Sequence, residues 1–154
     1  MAATSARPPG SPRLSSRVPG ARLAPANGTL ARYRLQEALN YITSEIHKSY
    51  SPLFSPRTPA EVRGERVEYL RKRYALLDGQ LAGRKYLLGD QFTVADAYLF
   101  VVTRWVQAAK IDLSDYANLQ AFQARVAARP AVQAERDLPR SVGDRGLGED
   151  VELI

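Results

Sequence analysis

Four polar side chains in the first third of the chain, Asn40, Ser44, His47 and Lys48, have types and spacing that chemistry can use. On a helix, which advances about 100° per residue, they share roughly a quarter to a third of the circumference. His47 is the single histidine of the 154 residues. An imidazole acts as a hydrogen-bond donor or, near neutral pH, as a cation, and Lys48 adds a charge beside it. Leu35, Leu39, Ile42 and Ile46 form a stripe on roughly the opposite side, so the polar group faces solvent or another domain. On geometry alone it is a solvated helix face.

A second constellation, Thr93 with Asp96 three places later, has the form of a capping box. Its carboxylate reaches back to the Thr93 N–H, and loss of such a cap costs about 0.5–2 kcal/mol. Asp96 is therefore expected to be structural.

The elements that must position these groups read as four helices and no strand. The first spans Thr29 to about Ser49, and the prolines at 52, 56 and 59 are expected to interrupt it. The second opens on "TPAE", with Thr58 as cap, Pro59 in the first helical position and Glu61 closing a box; Gly83 is its stop. Leu70, Tyr74, Leu77 and Leu81 form its apolar stripe. The third runs from Thr93 to about Ala109 and is apolar around much of its circumference, as a central post would be. The fourth covers about Asn118 to Arg129, ends at Pro130, and precedes a short last turn, "AVQAE". The predicted fold class is all-α, a compact bundle around the third helix.

Composition narrows the function. Zero cysteine excludes disulfides, thiolate zinc sites and a cysteine nucleophile within this chain, and one histidine excludes a His-rich metal site. No apolar run is long enough to span a membrane, and the expected compartment is the cytoplasm. Residues 1–27 hold four arginines and no acid among Pro, Gly and Ser, and read as a disordered or non-native leader. Residues 135–154 read as an irregular tail, and 28–134 as the folded domain. Arg63, Arg66, Arg71, Lys72 and Arg73 alternate with Glu65 and Glu68, which makes an ordinary solvated face rather than a nucleic-acid site.

"AGRKYLLGDQFTVADAYLF" resembles the signature of the glutathione transferase C-terminal domain, where this capping box starts the central helix. The likeness continues through "VVTRW", "IDLSDYANLQAF" and "RVAARPAVQ", and "RYRLQEALNYITSEIHKSYSPLF" looks like the first helix of that domain in the bacterial beta class. Ala97 is smaller than the family's usual partner for Phe92, so that hydrophobic staple is expected to be weak. The resemblance implies conjugation of glutathione to electrophiles, or thiol–disulfide exchange, with glutathione as co-substrate and no other cofactor. It places Asn40, Ser44, Glu45, Ile46, His47 and Lys48 at the glutathione site, with His47 as an accessory catalytic group near the sulfur. Tyr98 and Trp105 would border the pocket for the electrophile, although each also reads as a core aromatic.

The family's thioredoxin-like βαβαββα domain and its cysteine have no counterpart here, so a truncated or frame-altered reading frame with impaired activity is expected. The alternative is a non-catalytic dimerisation module using "ERVEYLRKRYALL", since helical transferase domains pair with a neighbouring subunit.

Overall fold

The computed structural model describes residues 23–137. Most of the expected leader and tail, 1–22 and 138–154, lie outside the described residues. Among the described residues seven α-helices follow in order: α1 Leu30–Tyr41, α2 Ser51–Phe54, α3 Ala60–Leu81, α4 Val94–Thr103, α5 Val106–Ala109, α6 Ala117–Ala127 and α7 Pro130–Asp137. Among the described residues there is no β-strand, only an isolated antiparallel bridge between Tyr86 and Gly89. The all-α expectation holds.

Thr29 caps α1 by accepting from the Arg32 N–H, 3.2 Å away. The helix does not stop near Ser49. It widens into a π-helical turn at Ile42–His47, tightens into a 3-10 turn at Lys48–Tyr50, and runs on through α2. Pro52 therefore does not break the rod as expected: it occupies the first turn of α2, where a missing N–H and a fixed φ are tolerated. The hydroxyls of Thr43, Ser44 and Ser49 donate to the carbonyls of Leu39, Asn40 and Glu45, at 2.8, 3.0 and 2.9 Å. Side-chain bonds to carbonyls four residues back supply partners where the backbone ladder is irregular.

The longest helix, α3, has 22 residues, a rod of about 33 Å. It buries Leu70, Tyr74, Leu77 and Leu81, the predicted stripe. Its start differs from the expected "TPAE" box. The N-cap position falls on Pro59, which has no side chain able to cap, and Arg63 instead ties the entry by donating to the carbonyls of Leu53 and Ser55. Gly83, at φ +69°, follows the last turn in the left-handed region that favours glycine.

The third predicted helix is two. α4 ends at Thr103, because the N–H groups of Arg104 and Trp105 turn back to Val101 and Val102, three residues behind. α5 is a single turn closed by Lys110 in the left-handed conformation. Nor is α4 buried all round: Ala95, Leu99 and Val102 face the core, whereas Val101 is half exposed, at 50%. Asp78 of α3 starts α6 from across the bundle, accepting from the Leu119 N–H at 2.8 Å and the Asn118 amide at 3.0 Å. Leu119, Phe122 and Val126 then fill the core as predicted, and α7 begins on Pro130.

Candidate functional site

The Thr93–Asp96 box is present, and Asp96 is fully buried. One carboxylate oxygen accepts from the Thr93 N–H at 2.7 Å and from the Thr93 hydroxyl at 2.8 Å. The other accepts from the Leu87 N–H at 2.8 Å, so the same group also pins the loop that leads into α4. A further tie comes from the Val94 N–H, which donates to the Leu23 carbonyl at 2.9 Å. Phe92 packs edge-on against Tyr86 at 5.4 Å, with the Arg129 guanidinium 3.8 Å from its ring centre. This corner is a structural clasp.

The six residues of the first-helix constellation separate. Asn40, Ser44, His47 and Lys48 are exposed, which puts the predicted polar face on the outside. Ile46 is fully buried, so its side chain is a core member. Glu45 turns toward α3, where its carboxylate pairs with Arg73 at 2.9 Å and accepts from the Tyr69 hydroxyl. The Tyr69 bond, followed by the Arg73 charge, holds the Glu45 carboxyl below its usual value despite some desolvation. The side chains of 44–48 thus divide into two groups: an outward set, and a Glu45–Ile46 pair committed to the bundle. Helical geometry separates them, since residues two apart project to nearly opposite sides.

His47 leans on α4. Its Nδ1 lies 2.5 Å from the Tyr98 hydroxyl. The Trp105 ring meets it edge-on, with centroids 4.8 Å apart. Trp105 also meets Tyr50 at 5.5 Å and Phe54 at 5.7 Å. Tyr98 and Trp105, seven residues apart, are both only partly buried and line one side of the outward group. Phe54 and Val101, each 50% exposed, extend this apolar rim.

Tyr50, Phe54 and Val101 were not singled out from the sequence. The signal for Phe54 was its place seven residues after His47, hidden because the prolines implied a broken rod. Below the rim, the Tyr50 and Tyr74 hydroxyls meet at 2.8 Å in the core. Burial raises both phenols, Tyr74 to about 12 and Tyr50 further.

An exposed imidazole beside an aromatic rim, with an amide, a hydroxyl and an ammonium on the same face, can bind an anionic polar ligand next to an apolar one. Two hollows lie elsewhere. One of about 880 Å³ runs between α1 and α3, past Leu30, Arg34, Tyr41 and Leu76; another of about 470 Å³ adjoins Thr103, Asp112 and Gln123. Neither contains His47, which lies on an open face.

Among the described residues no helix is long and apolar enough to cross a membrane. Over residues 41–130, more than half of the chain, the sequence matches the family described as glutathione S-transferase, C-terminal domain. The glutathione S-transferase GstA of Escherichia coli O157:H7 is 39% identical over 120 residues, covering 78% of this chain and 60% of that protein.

Three solved structures share the fold. One is a ternary complex of BphK, a bacterial GST: 52% identity, TM-score 0.73, covering 76% of this chain and 58% of that one. A sphingomonad glutathione S-transferase complexed with glutathione gives 44% identity and TM-score 0.69 over 73% and 56% of the two chains. The bacterial beta class enzyme of Sphingomonas chungbukensis gives 41% and 0.70 over the same shares. The chain spans about 60% of the relatives it matches. The family match over more than half of the chain, with these shared folds, leads to one conclusion: this chain belongs to the glutathione S-transferase C-terminal domain family.

Proposed function

We propose that the described bundle supplies the helical wall of a glutathione-binding site, in which the outward face of Asn40, Ser44, His47 and Lys48 meets the tripeptide. Tyr98, Trp105, Phe54 and Val101 then border the place of an apolar electrophile. The observation that carries this reading is the position of His47, exposed yet held against Tyr98 and Trp105. The family and the glutathione complex of the sphingomonad relative support the ligand class.

In the full reaction the glutathione thiolate attacks an electrophilic carbon and displaces its leaving group. His47 and Lys48 would stabilise the thiolate through a hydrogen bond and charge. Activating the thiol also takes donors on its far side, which a thioredoxin-like lobe supplies in complete transferases. The bundle by itself should therefore bind glutathione weakly and conjugate slowly. Calorimetric titration of the chain with glutathione tests the first half, and turnover of a chlorinated aromatic substrate tests the second. Loss of glutathione binding in His47→Ala supports the assignment; undiminished binding overturns it.

A second reading, a pairing module, is favoured by the hollow between α1 and α3, where Leu30 is 72% and Leu76 48% exposed. Light scattering during size exclusion distinguishes a dimer from a monomer.

A further inference from the structure

We infer that Tyr98 is a positioning residue for His47: its phenol donates to Nδ1 and holds the ring in the tautomer that carries its proton on Nε2. The Tyr98 hydroxyl and Nδ1 lie 2.5 Å apart, within hydrogen-bond reach. Chemistry favours one direction: a phenol is a better donor than acceptor, because its oxygen lone pair is delocalised into the ring, whereas a bare imidazole nitrogen is a strong acceptor. An imidazole nitrogen that accepts a phenol proton carries none itself, so in the neutral ring the proton sits on the other nitrogen.

Position fits the role. Tyr98 lies in the second turn of α4, the helix whose start is locked by the buried Asp96 clasp. The phenol is thus anchored to a rigid element, while His47 sits at the end of the π-helical turn. Trp105, edge-on at 4.8 Å with planes 86° apart, packs against the same ring and restrains its rotation. Tyr98 within α4 and Trp105 just beyond its end therefore set the orientation of a third side chain on another element. Nε2 makes no hydrogen bond among the described residues, and His47 is exposed.

For the proposed glutathione site this selects one of two roles. With Nδ1 occupied and Nε2 protonated, neutral His47 offers a donor to a sulfur that is already a thiolate. It does not offer a bare nitrogen to remove the thiol proton. Tyr98 then acts through His47, beyond bordering the electrophile.

Because His47 is the single histidine, its ring nitrogens can be read without ambiguity in the uniformly 15N-labelled full chain. The long-range 1H–15N spectrum is recorded on the alkaline plateau, where the ring nitrogen shifts no longer change with pH and only the neutral ring is observed. The expected result is one resolved tautomer with its proton on Nε2. In Tyr98→Phe, which keeps the ring and removes only the oxygen, the two nitrogen shifts should move toward one another as the tautomers mix.

A proton on Nδ1, averaged shifts in the unaltered chain, or identical ring spectra in the two proteins would each overturn the inference. The unaltered chain decides the tautomer even if Tyr98→Phe folds poorly, which its amide spectrum reports. Glutathione is absent throughout. A failure of glutathione to bind thus counts against the proposed function and leaves the tautomer result standing.

Discussion

At the Thr93–Asp96 corner a buried carboxylate accepts three hydrogen bonds, from the Thr93 N–H, the Thr93 hydroxyl and the Leu87 N–H. On the His47 face an exposed imidazole makes one, and the neighbouring Asn40, Ser44 and Lys48 look outward. Both regions are short polar constellations at helix positions, yet they serve opposite ends. Inside, an unpartnered polar group is costly, so the sequence supplies a partner for each and the result is a rigid corner. Outside, water tolerates unused donors, so a group can wait for a ligand at little cost to the fold. Full partnering marks the clasp as structural, whereas spare valence beside an aromatic rim is what the proposed site rests on.

The comparison breaks most sharply at Asp96. Asp96→Ala orphans two buried N–H groups and should destabilise the bundle by about 3 kcal/mol, read from the shift of the denaturant midpoint. Asp96→Asn keeps the size and part of the acceptor capacity, and should cost roughly half of that. A loss below about 0.5 kcal/mol in the alanine variant would mean that the corner is not the clasp described.

Tyr74→Phe leaves the Tyr50 hydroxyl buried without its partner and should cost about 1–2 kcal/mol in the same assay. The two raised phenols also set an alkaline limit. Their stabilisation is fully present below the unfolded value near 10 and is lost as pH rises through that value toward about 12. Melting temperature in the unaltered chain should fall across that window.

His47→Ala, on the open face, should change stability by only about 0.5 kcal/mol, because an exposed side chain with one hydrogen bond contributes little. A cost similar to that of Asp96→Ala would make His47 part of the structural frame and remove the contrast. The smallest effect belongs to Glu45. Its carboxyl is lowered, so its pairing with Tyr69 and Arg73 contributes fully above the unfolded carboxylate value and is lost as pH falls through the lowered folded one. Glu45→Gln should flatten the acid limb of a melting-temperature profile, and a limb of unchanged slope would assign the acid sensitivity to other carboxylates.

Legibility in the sequence followed the range of the interaction. Local periodicity located the α3 stripe and the α6 core positions, since residues three and four apart share a helix face whatever surrounds them. The Thr93–Asp96 box was legible for the same reason, its two members being three residues apart. Asp96's third bond, to Leu87, was not legible, because it depends on how the preceding loop folds back. Pro52 misled: the breaking rule applies to helix interiors, and the π-to-3-10 transition turned its position into a first turn. The single helix expected over 93–109 ignored the three-residue turn at Arg104 and Trp105, which no periodicity announces.

By itself, then, the amino-acid order determined the all-α class, the apolar stripes, the buried cap and the outward direction of Asn40, Ser44, His47 and Lys48. These depend on backbone geometry repeated along each helix. Only the tertiary structure decided that Glu45 is bound to α3, that Ile46 is core, and that His47 rests between Tyr98 and Trp105. Those contacts join residues far apart in the chain, 24 positions for Glu45 and Tyr69 and 51 for His47 and Tyr98, and their geometry is set by how the helices cross, which no spacing within one helix contains.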